Sequence, residues 1–261
     1  MGREQQGMNN LETLPAETSI SRFSESADIE TSSEEYARRF TGSAGKYFLE
    51  TQSEITLDLL KGYSNTTVLD VGGGHAQLAA PLVEHGYRVV VTGSADVCRR
   101  KLDSALSSRS FEYLTCDMLN LPFDNDSFDV VIAFRLLPHV ERWPKLISEM
   151  CRVSRDTIVF DYPDSRSFNF LYGLLFDTKK ALERNTRPFR LFRRREVLEI
   201  LNRNGFDEVV LKPQFFLPMV VHRLLRSGAF SRSSEFVFRQ TGLTRLFGSP
   251  VILKATKVLE K

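Results

Sequence analysis

Between residues 67 and 162 short, continuous apolar runs alternate with amphipathic stretches, and few folds accommodate that rhythm. The runs at 68–71, 88–92, 111–115, 128–134 and 157–162 are rich in β-branched and aromatic residues and too short for typical helices. Residues 77–85, 96–107 and 143–153 lie between them with helix-like patterning, and Gly86 closes the first. Strands apolar on both faces, alternating with helices, predict a parallel sheet covered on both sides. Upstream, helices are predicted at 34–41 and 45–61, the second carrying Phe48, Leu49, Ile55, Leu59 and Leu60 at near-helical spacing. Downstream, a helix at 196–204 ends at Asn204 and Gly205, a natural left-handed stop. Strands follow at 208–211 and 251–256, with two short helices predicted between them.

The flanks differ in charge. Residues 1–35 hold eight acids and two bases, whereas 179–203 hold nine bases and three acids and 219–261 hold eight bases and two acids. Residues 1–33 are polar and acidic, with too little apolar surface to offset the entropy of ordering, so they read as a disordered tail preceding a domain over 34–261. The net charge of +2 argues against a dedicated nucleic-acid binder. Three unpaired-looking cysteines, Cys98, Cys116 and Cys151, predict neither a disulfide framework nor a metal site, and fit a reducing, cytoplasmic setting. No apolar run approaches the roughly 18 residues of a membrane span, and no secretory leader is evident.

The chemistry concentrates at 68–78, where a strand runs through Asp70 into Gly72, Gly73 and Gly74 and then a helix. Glycines let the backbone turn tightly and approach a ligand without a Cβ, and the following helix start offers free N–H groups. Asp70, at the strand end, can anchor an ammonium group. A dinucleotide fingerprint needs G-x-G-x-x-G/A, and its last position here is Gln77; the match is instead to D-x-G-x-G-x-A, ending at Ala76.

Two more segments extend the pattern: Asp117-Met118-Leu119-Asn120-Leu121-Pro122-Phe123, and the stretch from Ser127 through Phe134, Arg135 and Pro138 to His139 and Val140. With the glycine turn they resemble class I S-adenosyl-L-methionine (SAM)-dependent methyltransferases, in particular the ubiquinone/menaquinone-biosynthesis-like (type 11) small-molecule group. The resemblance covers residues 65–162 well and reaches more loosely to the helix from Arg194 to Phe206. It implies a Rossmann-like, mostly parallel seven-stranded sheet with its last strand antiparallel, helices on both faces and helical insertions near the C-terminus. It also implies SAM as cofactor. Asp70, Gly72, Gly73 and Gly74 would face its methionine part, Asp117 and the Met118 backbone its adenine, and Phe134 and Arg135 the region where the family's fourth strand meets the methionine end. The second strand of the family ends in an acid that grips the ribose; here it runs Thr92-Gly93-Ser94-Ala95-Asp96, leaving Ser94 or Asp96 to serve. His139 is the candidate general base, with Asp161 and Tyr162 lining the same edge. Tyr36, Arg39 and Lys46 sit where a helix often closes over the cofactor.

Methyl transfer is an in-line displacement in which positioning supplies much of the catalysis, and a base is needed only if the acceptor loses a proton. No D/N-P-P-Y/F motif and no Pro-Cys pair point to a DNA base, and no metal-ligand cluster is present. The insertions at 163–192 and 214–249 are rich in Phe, Leu and Arg, which suits an apolar, lipid-like acceptor or a peripheral contact with an anionic membrane surface. Two other readings stay open: a non-catalytic binding or accessory protein that keeps the fold, and an RNA or protein methyltransferase using the basic segments.

Overall fold

A computed structural model describes residues 22–63, 65–106, 110–167 and 189–258. Seven strands form one sheet: β1 (Thr67–Val71), β2 (Arg88–Gly93), β3 (Phe111–Thr115), β4 (Phe128–Ala133), β5 (Ser154–Tyr162), β6 (Phe206–Phe215) and β7 (Ser249–Lys257). Their order is β3-β2-β1-β4-β5-β7-β6, and β7 runs antiparallel to both its neighbours. Between β1 and β4 the winding reverses direction. In open α/β sheets that switch point, at the carboxyl ends of the strands, is where a crevice forms.

Strand residues feed two apolar layers by the period-two rule. Leu69, Val71, Val131 and Ala133 pack on one side with α6 (Trp143–Val153) and α7 (Arg194–Arg203), through Leu146, Ile147, Met150, Val197 and Leu201. Val68, Val89, Val91, Val130 and Ile132 face the other side, against α3 (Gly42–Leu59), α4 (Ala79–Glu84) and α5 (Arg100–Ala105), through Leu59, Ala79, Leu82 and Leu102. Helices therefore cover both faces, as the alternation of runs predicts.

Three differences from the sequence reading stand out. The predicted helix at 96–107 is a 3₁₀ turn over Asp96–Arg99 followed by the shorter α5. β6 is far longer than 208–211 and passes through Pro213; it lies at the sheet edge, where a missing N–H is tolerated. Residues 22–33, placed in an unstructured tail by their composition, are folded onto the domain. They form the short helix α1 (Ala27–Thr31), followed by α2 (Glu34–Arg38), because their acids find specific partners in the body of the protein. Residues 1–21 lie outside the described residues, as does most of the 163–192 insertion. The second insertion comprises α8 (Met219–Leu225), α9 (Gly228–Gln240) and α10 (Leu243–Phe247), with α9 against α3 and α10 against β6.

Candidate active site

β1 delivers Asp70 to the crevice with its side chain fully buried, and neither carboxylate oxygen has a hydrogen-bond partner among the described residues. Burial pushes its pKa up to about 7, against the pull of the Arg135 cation. The turn that follows is shaped around this carboxylate. Gly72 sits at φ +71°, its N–H donating to Thr92 O at 2.9 Å. A Cβ on Gly73 would collide with the Asp70 carboxylate itself, so a side chain there would displace that group.

β4 delivers the second group. Arg135, just past the strand, takes a left-handed φ of +54°, and its N–H donates to Asp161 Oδ1 at 2.6 Å. That bond turns the side chain back over the ring of Phe40, 4.7 Å from its centroid, and within 5.7 Å of Tyr36. Its Nε is buried without an acceptor among the described residues, and burial lowers its pKa. Asp161, at the end of β5, also accepts from Gln52 Nε2 at 3.0 Å; burial raises its pKa to about 6, opposed first by the Arg135 N–H. The carboxyl ends of β1 and β4 thus carry a buried acid without a donor and a buried guanidinium Nε without an acceptor. Buried polar groups are almost always paired within the protein or by something bound to it, so these two fit a ligand carrying both an ammonium and a carboxylate.

Around them lie aromatic and imidazole groups. Tyr36 is buried, 5.7 Å from Phe40 and edge-on to His139 at 6.5 Å, with its phenol pKa raised by burial. His139 ends a 3₁₀ turn over Leu137–His139, half-buried, 5.7 Å from the ring of Phe189. Phe134 is fully buried, and its carbonyl meets His75 Nε2 at 3.3 Å. His75 Nδ1 accepts from the Gln77 N–H at 3.3 Å, and burial holds the imidazole pKa well below its usual value. This neutral histidine braces the glycine turn against β4.

The remaining expected residues divide. Asp117 follows β3, half-buried, with Oδ1 accepting from Leu119 N–H at 2.9 Å, and Met118 beside it is buried. The Leu-Pro-Phe stretch that follows is held by Arg152, which donates to Leu121 O at 2.8 Å and Phe123 O at 2.7 Å. Asp96 is exposed and accepts from Thr115 Oγ1, on the β3 side. Ser94 is buried at the end of β2, and both its N–H and its hydroxyl donate to Asp28 at 2.6 Å. Arg39 lies over Tyr36 at 4.9 Å and 3.8 Å from Glu30, while Lys46 points to solvent beside Glu50. Asp28, His75 and Gln52 were not singled out from the sequence. Each acts through a partner distant in sequence or through a backbone group, and neither leaves a local motif.

A sheet with this switch point, a glycine turn and a buried acid and arginine brought to adjacent strand ends has the features that suit a small charged ligand. Residues 69–157 match the family described as "Methyltransferase domain", and the sheet around them has the fold of SAM-dependent methyltransferases. The phthiotriol/phenolphthiotriol dimycocerosates methyltransferase of Mycobacterium leprae (strain TN) is 30% identical over 112 residues, which cover 41% of this chain and 40% of that protein. Among solved structures, a SAM-dependent methyltransferase of Thermotoga maritima, described as a possible histamine N-methyltransferase, superposes with a TM-score of 0.59 at 18% identity. It covers 86% of this chain and 95% of that one. Magnesium protoporphyrin IX methyltransferase from Synechocystis PCC 6803, with bound S-adenosylhomocysteine (SAH), gives 0.58 at 15% identity over 85% and 93% of the two chains.

Proposed function

We propose that the chain transfers the methyl group of SAM to a small apolar, lipid-like acceptor. The observation that carries this reading is the juxtaposition, at adjacent strand ends, of Asp70, buried with no donor among the described residues, and Arg135, whose buried Nε has no acceptor among them. SAM supplies an electrophilic methyl on a sulfonium, together with an amino-acid group whose ammonium and carboxylate suit these two residues. Asp70 takes the ammonium, Arg135 the carboxylate, and the Gly72–Gly74 backbone lets both approach. Asp117 and the Met118 backbone hold the adenine, with Ser94 the ribose contact; Asp96, turned toward Thr115, is left aside.

His139 and Tyr36 border the acceptor side. His139 receives a proton where the acceptor is a hydroxyl, and the aromatic wall of Tyr36, Phe40 and Phe189 excludes water from the transfer. An apolar acceptor is further supported by the helical insertion. On α8–α10 the side chains of Leu224, Phe236 and Leu246 are 78%, 61% and 59% exposed, and residues 219–247 hold five arginines against the buried Glu235 as sole acid. Apolar side chains interleaved with arginine suit the interface of an anionic membrane, from which a lipid-like acceptor is drawn. No helix among the described residues is long and apolar enough to cross a membrane. The mycobacterial relative is named for dimycocerosate lipids, which points the same way.

The test is turnover with methyl-labelled SAM and a panel of long-chain phenols, diols and carboxylic acids in mixed micelles, set beside water-soluble amines. Label recovered in an apolar product, with SAH formed in equal amount, is the expected result. Label confined to the water-soluble amines contradicts the acceptor assignment, and no SAH with any acceptor contradicts the activity.

A further inference from the structure

The crevice at the ends of β1 and β2 is filled by the chain's own N-terminal segment. Asp28, in α1, is completely buried. Its carboxylate accepts from both donors of Ser94, N–H and Oγ–H, at 2.6 Å, and from Cys98 Sγ at 3.3 Å. Asp28 Cβ lies 3.4 Å from where a Cβ on Gly72 would be, and Ser32 Oγ lies in the space a Cβ on Gly74 would need. The glycines that open the turn to a ligand are therefore met by α1. Two neighbouring contacts hold the segment down. Glu25 accepts from the N–H of Arg142, at the start of α6, at 3.0 Å, and Lys101 Nζ donates to Ser33 O at 3.0 Å. α1 itself has five residues, too few for a helix to be stable alone, so its order depends on these polar contacts.

We propose that α1 is an internal competitor for the cofactor, with Asp28 occupying the two Ser94 donors that the ribose diol of SAM would use. This rests on the cofactor reading above. Two carboxylate oxygens and two vicinal hydroxyl oxygens present similar acceptor pairs, so one set displaces the other. Cofactor entry lifts α1 from Gly72 and Gly74 and returns the Asp28 carboxylate to water. The strand end that lacks an acid of its own is thereby kept filled by an acid from elsewhere in the chain, and access to SAM is set by whatever holds or releases residues 22–33.

Hydrogen–deuterium exchange on the full chain, with and without SAH, tests this directly. SAH should slow exchange in peptides spanning 69–76 while speeding it in peptides spanning 22–33. An Asp28→Ala variant should show fast exchange at 22–33 without ligand and bind SAH roughly tenfold more tightly, the equivalent of losing one competing charged hydrogen bond. If SAH protects 22–33 together with 69–76, and Asp28→Ala weakens binding, α1 is part of the bound site and the competitor proposal is overturned. Protection at 69–76 with no change at 22–33 and unchanged Asp28→Ala affinity also overturns it, leaving the cofactor reading intact. SAH binding to neither protein removes the cofactor reading and the competitor with it.

Discussion

Glu235 and Asp70 are both withdrawn fully from solvent, but their surroundings are opposite. Glu235, on α9, accepts from the N–H groups of Phe216 and Leu217 at 2.8 and 3.0 Å and contacts His222 Nε2 at 3.1 Å; His222 Nδ1 in turn meets Ser231 Oγ at 2.9 Å. The network ties α8 and α9 to the end of β6. Asp70 has no hydrogen-bond partner among the described residues and a raised pKa. A fully partnered buried acid works for the fold, whereas one left without donors imposes a standing cost that the fold alone does not explain. The comparison separates a structural acid from one kept ready for a ligand, although both are equally buried.

The largest expected effect of breaking this contrast is at the satisfied acid. Glu235→Ala strands two backbone N–H groups and an imidazole, and should lower unfolding stability by about 3–5 kcal/mol, the range for breaking a buried pair. Urea unfolding followed by circular dichroism measures it; a loss below 1 kcal/mol would show that the network is idle.

At Asp70 the sign reverses. Its folded pKa of about 7 exceeds the unfolded value of about 3.9, so the folded protein binds more protons than the unfolded chain between those limits. Stability from this group is therefore lost as pH rises from about 4 to 7. Asp70→Asn should match wild type near pH 4 and exceed it by on the order of 2–4 kcal/mol above pH 7. Parallel pH–stability curves for the two proteins would contradict the assignment.

Smaller effects sharpen the picture. Gly74→Ala places a Cβ against Ser32 Oγ and 2.5 Å from Cys98 O, and should cost about 1–3 kcal/mol by overpacking while speeding proteolysis within residues 22–33. Protease resistance equal to wild type would argue that α1 does not rest on the turn. Arg245→Glu, on the exposed surface of α10, should leave stability within about 0.5 kcal/mol. It should weaken binding to anionic vesicles roughly thirtyfold, because the reversal changes the charge by two at about 1 kcal/mol each near the surface. Cosedimentation with vesicles reads this, and equal binding by the variant removes the interfacial role.

The contrast also explains what the sequence could and could not disclose. The strand, glycine turn and helix around Asp70 are local features whose periodicity and turn chemistry lie within eleven residues, so both fold and crevice were legible. Arg135 could be placed at the end of β4, but its left-handed backbone and its turn toward Phe40 depend on Asp161, 26 residues away. Asp28 was hidden for a stronger version of the same reason: its partners are 66 and 70 residues distant, and its neighbours have the composition of a tail. Asp96, offered beside Ser94 as the ribose contact, accepts from Thr115 on the β3 side, a partner 19 residues away that no local motif signals. His222, Ser231 and Glu235 share no local motif either, since their meeting depends on how two short helices pack against the end of β6.

Calorimetric titration of wild type and Asp70→Asn with SAM at pH 7 tests the central claim most directly. The account predicts binding by wild type, with a proton released as the ammonium draws Asp70 into its charged form and seen as a dependence on buffer ionisation enthalpy. It predicts that Asp70→Asn, folded and at least as stable, binds more than tenfold more weakly and releases no proton. Equal affinity and equal proton release by the two proteins would contradict it, leaving Asp70 as a buried acid with no part in ligand recognition.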